Sequence, residues 1–330
     1  MIPQLSVIFT TYNDSRFVAE ALESILCQTL TDFELILADD ASTDETLEIV
    51  SRYRDPRIKI LRNSANLGLA KNLNAALAHC RAELVARQDG DDVSLPTRFE
   101  KQVAFMDEHR DVAVVGTRDI WIDEQGNETD RFDLPTEHDE IVEELWSRCC
   151  MNHSSVVYRR EVVRKLGGYR PLPESEDYDL WFRVAAGHRL ANLAERLALR
   201  RIRRGSASVD RLEIQTASIA LIYRLARQRF DTGRDELDGL SGAELDAQIA
   251  RLLQQERRAT KKLVASKNVE VFHRVLRCSG RRAAWRYAMR ALRHDPSNRY
   301  VIRMVSDTYL SPSIYHWWKR VKAGLSGRRV

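Results

Sequence analysis

Along the first two hundred positions, apolar residues come in short runs separated by helical patterns. "LSVIF" (5–9), "FELILA" (33–38), "IKIL" (58–61) and "ELVAR" (83–87) read as strands, and "VAVVG" (112–116) adds another. Between them, "RFVAEALESIL" sets Phe17, Ala21, Leu22, Ile25 and Leu26 on one helix face, with Asn13 or Asp14 available as a cap. "DETLEIVSRYR" and "AKNLNAALAHC" repeat the pattern. Strands alternating with helices imply an α/β fold with a mostly parallel sheet and helices on both faces. From about residue 205 the pattern changes. "LEIQTASIALIYRLARQRF", "GAELDAQIARLLQQERR", "RRAAWRYAMRALRH" and "SIYHWWKRVKAG" read as helices, with breaks at Gly233, Gly239 and Gly242. The expected division is an α/β domain over 1–205 and a basic α-helical region over 206–330.

In open α/β sheets, ligands sit beyond the carboxyl ends of the strands. Here four strand ends are followed by "TTYND", "DDASTD", "NSANLG" and "QDGDD". Any one of these is commonly a turn or helix cap, but four in succession point to a site. The last is the most demanding, because Asp89, Asp91 and Asp92 follow an apolar strand and repel one another. A bound cation offsets that cost; so does plain solvent at an exposed loop. "FTTYNDSRF" contains no G-x-G-x-x-G, and no P-loop is present, so a backbone cradle for diphosphate is missing. A nucleotide diphosphate bound here would need its charge met by Mg2+ or Mn2+ on carboxylates. Asp89-Gly90-Asp91 suits that need, with the glycine expected to permit a tight turn.

The ordered series "SVIFTTYND", "LADDASTDET", "NLGLAKNLNAAL", "ARQDGDDVSLPTRFEKQ" and "SEDYDLWFR" resembles the family 2 inverting glycosyltransferases of the Rossmann-like GT-A fold, bacterial surface-polysaccharide type. The resemblance covers roughly residues 4–200. It implies that Thr10 and Tyr12 line the base and ribose, and that Asp40 accepts a hydrogen bond from a uracil-type imide. Asp39 would shape the turn, and Lys71 would reach the diphosphate or remain a surface lysine. Asp89 and Asp91 would be the D-x-D pair touching ribose and metal, Asp91 the direct ligand, with Asp92 capping the following turn. "PESEDYDLWFR" would supply the base, Asp177, supported by Glu176; the bland alternative is an acidic helix start favoured by the macrodipole. "MNHSSVVYRRE" resembles the acceptor-side segment, where His153 and Ser154 either touch a sugar or serve a strand edge. His153 has no partner at zinc-ligand spacing.

Composition places the chain. At 44% hydrophobic and 8% aromatic residues it packs a core. Five cysteines (Cys27, Cys80, Cys149, Cys150, Cys278) lack paired spacing, which argues for a reducing compartment. The start lacks a basic segment followed by an apolar one, and no run approaches the roughly 18–20 apolar residues of a membrane span. A cytoplasmic protein is expected. Charge is segregated: residues 1–200 carry 24 Lys+Arg and 36 Asp+Glu, whereas residues 201–330 carry 28 and 12. No nucleic-acid-binding signature accompanies that basic end, so nucleic acid is not an expected partner. Trp317 and Trp318 among cations suit either a bilayer interface or packing onto the catalytic domain. The expected function is metal-dependent, inverting transfer of a sugar from a nucleotide-diphosphate donor, a UDP-sugar, to a saccharide or lipid-linked acceptor. A sugar nucleotidyltransferase and a non-catalytic nucleotide-binding scaffold are the alternatives.

Overall fold

The computed structural model describes residues 2–203, 212–261, 263, 264, 267, 285 and 287–295. The first half of the sheet comes from β1 (Leu5–Thr11), β2 (Phe33–Asp39), β3 (Ile58–Arg62) and β4 (Leu84–Asp89). Between these strands run α1 (Val18–Leu26), α2 (Thr46–Val50) and α3 (Leu69–Leu77). Next come β5 (Val93–Ser94), α4 (Arg98–Glu108), β6 (Val112–Ile122), β7 (Glu128–Arg131) and α5 (His138–Leu145). A 3-10 turn (His153–Ser155) leads to β8 (Val157–Arg159), α6 (Arg160–Lys165), α7 (Glu176–Ala185) and β9 (Arg189–Arg201). Two long helices follow, α8 (Leu212–Thr232) and α9 (Gly242–Ala259).

Among the described residues the strands form one sheet in the order β3-β2-β1-β4-β8-β6-β9-β5, with β7 on β6. β1 pairs parallel with both β2 and β4, and β2 with β3. β1 and β2 are buried along their whole length, which explains why their sequences are nearly continuous apolar runs. Edge strand β3 has no fully buried residue. α1 buries Val18, Ala21, Leu22 and Ile25, the i, i+3, i+4, i+7 stripe, against a core that includes Val7, Phe9, Leu35 and Phe99.

The structure departs from the sequence pattern in three places. β4 pairs antiparallel with the three-residue β8, and β8 with β6, so the sheet changes character to one side of β4. α2 stops at Val50, because the chain turns through Ser51–Arg52 ahead of Pro56 to enter β3. No Asn13 or Asp14 side chain caps α1; the Asp14 carbonyl instead accepts from the N–H groups of Phe17 and Val18.

The described residues divide into two compact units, those within Met1–Ser206 and Ile222–Ile249, and those within Ala207–Leu221 and Ala250–Val330. The first unit therefore includes most of the α8–α9 hairpin. A buried ladder of charges holds it there. Arg170 binds Asp235 through two parallel hydrogen bonds of 3.0 and 2.9 Å and reaches Asp238 at 2.8 Å and Asp179 at 3.4 Å. Arg229 binds Asp235 at 2.8 Å, and Arg183 binds Asp179 at 2.7 Å. Three cations and three anions thus compensate one another. The ladder joins the turn after α8 to α7. Beyond residue 205 the described residues with regular structure are all helical, and none of these helices is long and apolar enough to cross a membrane. Cys278, Trp317 and Trp318 lie outside the described residues.

Candidate active site

The carboxyl ends of β1, β2 and β4 converge. The Asp89, Asp91 and Asp92 carboxylates each offer an oxygen within 4.8 Å of the others. Gly90 makes this possible for a reason other than the expected tight turn. A Cβ there would lie 2.7 Å from the Asp14 carboxylate and 3.2 Å from the Thr10 carbonyl, so the glycine provides clearance for the β1 end. Asp14, read from the sequence only as a possible helix cap, is buried and held by the Thr11 hydroxyl (3.0 Å) and the Tyr12 N–H (3.1 Å).

Burial pushes the pKa values of Asp91 and Asp92 up, and their mutual repulsion and that of Asp89 push further. Arg203, just past β9, is a partial counter-charge: its Nε lies 2.7 Å from Asp91 and its Nη1 2.9 Å from Asp14. Asp92 does not cap the following turn. Its carboxylate accepts the Arg201 N–H at 2.8 Å, across 109 residues, while Arg201 Nε donates to the Asp91 carbonyl. β9 therefore clamps the acidic loop from behind. Oxygen-only ligands, crowded and partly withdrawn from water, suit a hard divalent cation, so the residues present fit Mg2+ or Mn2+.

The other expected donor-side residues lie at or just past the ends of β1 (Thr10, Tyr12) and β2 (Asp39, Asp40) and on α3 (Lys71). Thr10 is buried, with its hydroxyl 3.4 Å from Asp89, and Tyr12 is exposed beside it. Asp39 shapes the turn by accepting the Ser42 N–H. Asp40 holds the loop before α3 by accepting from Asn63 Nδ2 (2.8 Å) and from the N–H groups of Leu67 and Gly68 (both 2.9 Å). Lys71, on α3, pairs with Asp246 of α9 at 2.6 Å.

Across the site, α7 begins with Glu176 and Asp177. Burial raises the pKa of both. Asp177 also raises Glu176, whereas the Tyr178 N–H, Arg87 and Arg200 pull Asp177 back down. The Tyr178 N–H donates to the Asp177 carboxylate at 2.7 Å, which fixes its orientation at the helix start. His153 is buried with Nδ1 4.0 Å from Glu176 and Nε2 3.1 Å from the Tyr169 hydroxyl. Burial, and then Arg87, hold the imidazole neutral by lowering its pKa well below the usual range. Its neighbour Ser154 accepts the Asp89 N–H through its hydroxyl, so one short turn touches both acidic groups.

Two sets of carboxylates are thus joined through the His153–Ser155 turn, the first able to hold a cation and the second able to take a proton. Residues 6–167 match the family described as Glycosyl transferase family 2. EpsE of Bacillus subtilis (strain 168), named as a glycosyltransferase, is 41% identical over 236 residues, covering 68% of this chain and 83% of EpsE. The amylovoran biosynthesis glycosyltransferase AmsE of Erwinia amylovora is 37% identical over 212 residues, 62% of this chain and 78% of AmsE. S. aureus TarS 1–349 in complex with UDP-GlcNAc has the same fold, with a TM-score of 0.57 at 21% identity over 89% of this chain and 92% of that one. The mannosyltransferase PcManGT from Pyrobaculum calidifontis, in complex with GDP-Man and Mn2+, gives 0.54 at 17% identity over 91% and 88%. The chain belongs to glycosyl transferase family 2 and is a glycosyltransferase with the GT-A fold.

Proposed function

We propose that the protein transfers a sugar, with inversion, from a nucleotide-diphosphate sugar to a saccharide or lipid-linked acceptor during polysaccharide or glycolipid synthesis. A UDP-sugar is the donor we favour. TarS was solved with UDP-GlcNAc and PcManGT with GDP-Man and Mn2+, and AmsE is named for amylovoran biosynthesis. The observation that carries the reading is the short turn His153–Ser155, which touches Asp89 through Ser154 and Glu176, the neighbour of Asp177, through His153.

Asp91 and Asp89 would hold the divalent cation, which when bound offsets the negative charge of the diphosphate. Thr10, Tyr12 and Asp40 would line the nucleoside. Asp177 takes the proton from the acceptor hydroxyl as its oxygen bonds to the anomeric carbon. The bond from that carbon to the diphosphate breaks, and its electron pair leaves with the nucleotide. A carboxylate whose pKa is raised is the better base for this step near neutral pH. Glu176 and His153 would face the acceptor side. The basic stretch over 206–330 would bring the enzyme to a cytoplasmic membrane face.

Calorimetric titration with UDP, with GDP and dTDP as controls and with or without Mn2+, tests the donor site. UDP binding should require the metal and be lost in Asp91→Ala. Asp177→Asn should keep UDP binding within about threefold while transfer falls by about 10²–10⁴-fold. Nucleotide binding that ignores both metal and Asp91 would sink the reading and favour a scaffold.

A further inference from the structure

Arg201 and Arg203 stand two residues apart at the end of β9 and are held differently. Arg201 is buried, and its guanidinium is fixed on the Asp91 carbonyl (3.0 Å), the Asp123 carbonyl (3.1 Å) and the Glu20 carboxylate (2.6 Å). Arg203 lies beyond the strand, although the backbone is still pinned one residue earlier, where the Ile202 N–H donates to the Ile122 carbonyl at 2.8 Å. Its side chain is 35% exposed and straddles two carboxylates, Asp91 at 2.7 Å and Asp14 at 2.9 Å, whose own side chains are 14% and 7% exposed. The cation can therefore swing into water. The two anions cannot follow it.

The anions differ in what else holds them. Asp14 is locked in place: its carboxylate accepts from the Thr11 hydroxyl and the Tyr12 N–H, and its own N–H donates to the Thr46 hydroxyl at 2.8 Å. Asp91 belongs to the acidic cluster. Within that cluster Asp89 pairs with buried Arg87, and Asp92 accepts the Arg201 N–H. Arg203 thus sets a mobile positive charge directly on the carboxylate expected to hold a metal ion. A divalent ion bound to Asp91 would lie within a few ångströms of that charge, where repulsion amounts to several times the thermal energy.

We infer that Arg203 is the resident cation of the donor site: it neutralises Asp91 in the free enzyme, opposes a divalent ion that arrives alone, and yields when the ion arrives with a nucleotide diphosphate. The diphosphate brings negative charge that offsets the guanidinium, and Asp14 keeps the released side chain within reach. Arg203 thereby couples the two ligands, and linkage makes the coupling equal in both directions. This rests on reading the Asp89–Asp91–Asp92 cluster as the cation site.

The test is calorimetric titration of the full chain with Mn2+, alone and at saturating UDP, for wild type, Arg203→Gln and Arg203→Lys. Arg203→Gln should bind Mn2+ alone about tenfold or more tighter than wild type, and the gain that UDP confers should shrink by a similar factor. Arg203→Lys, which keeps the charge, should lie closer to wild type than to Arg203→Gln. A folded Arg203→Gln chain that binds Mn2+ alone no tighter than wild type overturns the inference, as does one whose gain from UDP is undiminished. Should Arg203→Gln not fold, the side-chain Nε–H 15N signal of Arg203 in the wild-type chain decides, assigned by its loss in Arg203→Lys. Mg2+ and UDP together should move that signal, and the same concentration of Mg2+ alone should not. A signal unmoved by both, or moved equally by Mg2+ alone, overturns the inference. Mn2+ binding absent from all three chains, with or without UDP, would remove the metal reading of the cluster and this inference with it, whereas binding that is equal in all three removes this inference alone.

Discussion

Asp91 pairs with Arg203 and still has a raised pKa, so burial and carboxylate crowding outweigh its partner. A carboxylate whose folded pKa exceeds its unfolded value binds more protons in the native state. Stability then falls as pH rises from the unfolded value, about 4, through the folded one. The protein without metal is thus strained at the site where it is expected to act, a strain that a bound cation would relieve. Asp91→Asn should therefore stabilise the metal-free protein at pH 8 by several kcal/mol, on the order of 1.4 kcal/mol for each pH unit above about 4, and by much less at pH 5. Urea denaturation of both chains at the two pH values measures this. An Asp91→Asn chain that is less stable at pH 8 would show that the Arg203 pair outweighs the repulsion. Comparing variant with wild type at each pH also removes the contribution of His153, which is the same in both.

At the scale of elements, the α8–α9 turn and α7 are bound by Arg170, Arg229, Arg183, Asp179, Asp235 and Asp238. Taking one member from a buried network leaves its partners uncompensated. Asp235→Asn takes a shared carboxylate from two buried arginines at once and should cost about 3–5 kcal/mol, read as a lowered urea midpoint with unchanged slope. A cost within about 0.5 kcal/mol, the scale of ordinary surface substitutions, would mean the ladder is not holding the hairpin. Nothing in the local pattern of "DTGRDELDGL" announces this role, because Arg170 meets Asp235 across 65 residues. What was legible was local. Apolar runs marked β1, β2 and β4 because both faces of those strands are covered, and the acidic strand ends marked the site. Arg87, Asp14 and Arg203 stayed hidden, since a single charged residue carries no period and its partner is set by topology. Asp14 and Arg203 are 189 residues apart. Gly90 was visible as a glycine, but its reason, the Asp14 carboxylate packed against it, was not.

On the scale of the whole molecule, a net charge of +4 conceals an acidic stretch over 1–200 and a basic one over 201–330. The total alone would predict weak attraction to an anionic surface. Segregation changes that, because each Lys or Arg near an anionic leaflet contributes about 1 kcal/mol and the attraction decays within a Debye length. A few basic side chains from residues 201–330 would then suffice without help from the acidic part. We expect the full chain to sediment with phosphatidylglycerol vesicles at about 50 mM salt, to be released by about 500 mM, and to ignore phosphatidylcholine. A chain ending at residue 307 lacks "YHWWKRVK" and should lose most of this binding if Trp317 and Trp318 sit at the interface. Equal binding by the shortened chain would place the contact elsewhere among the 28 basic residues, and no sedimentation at low salt would end the membrane reading. In that last case a water-soluble saccharide becomes the better acceptor, because a lipid-linked one stays in the membrane that the enzyme does not approach.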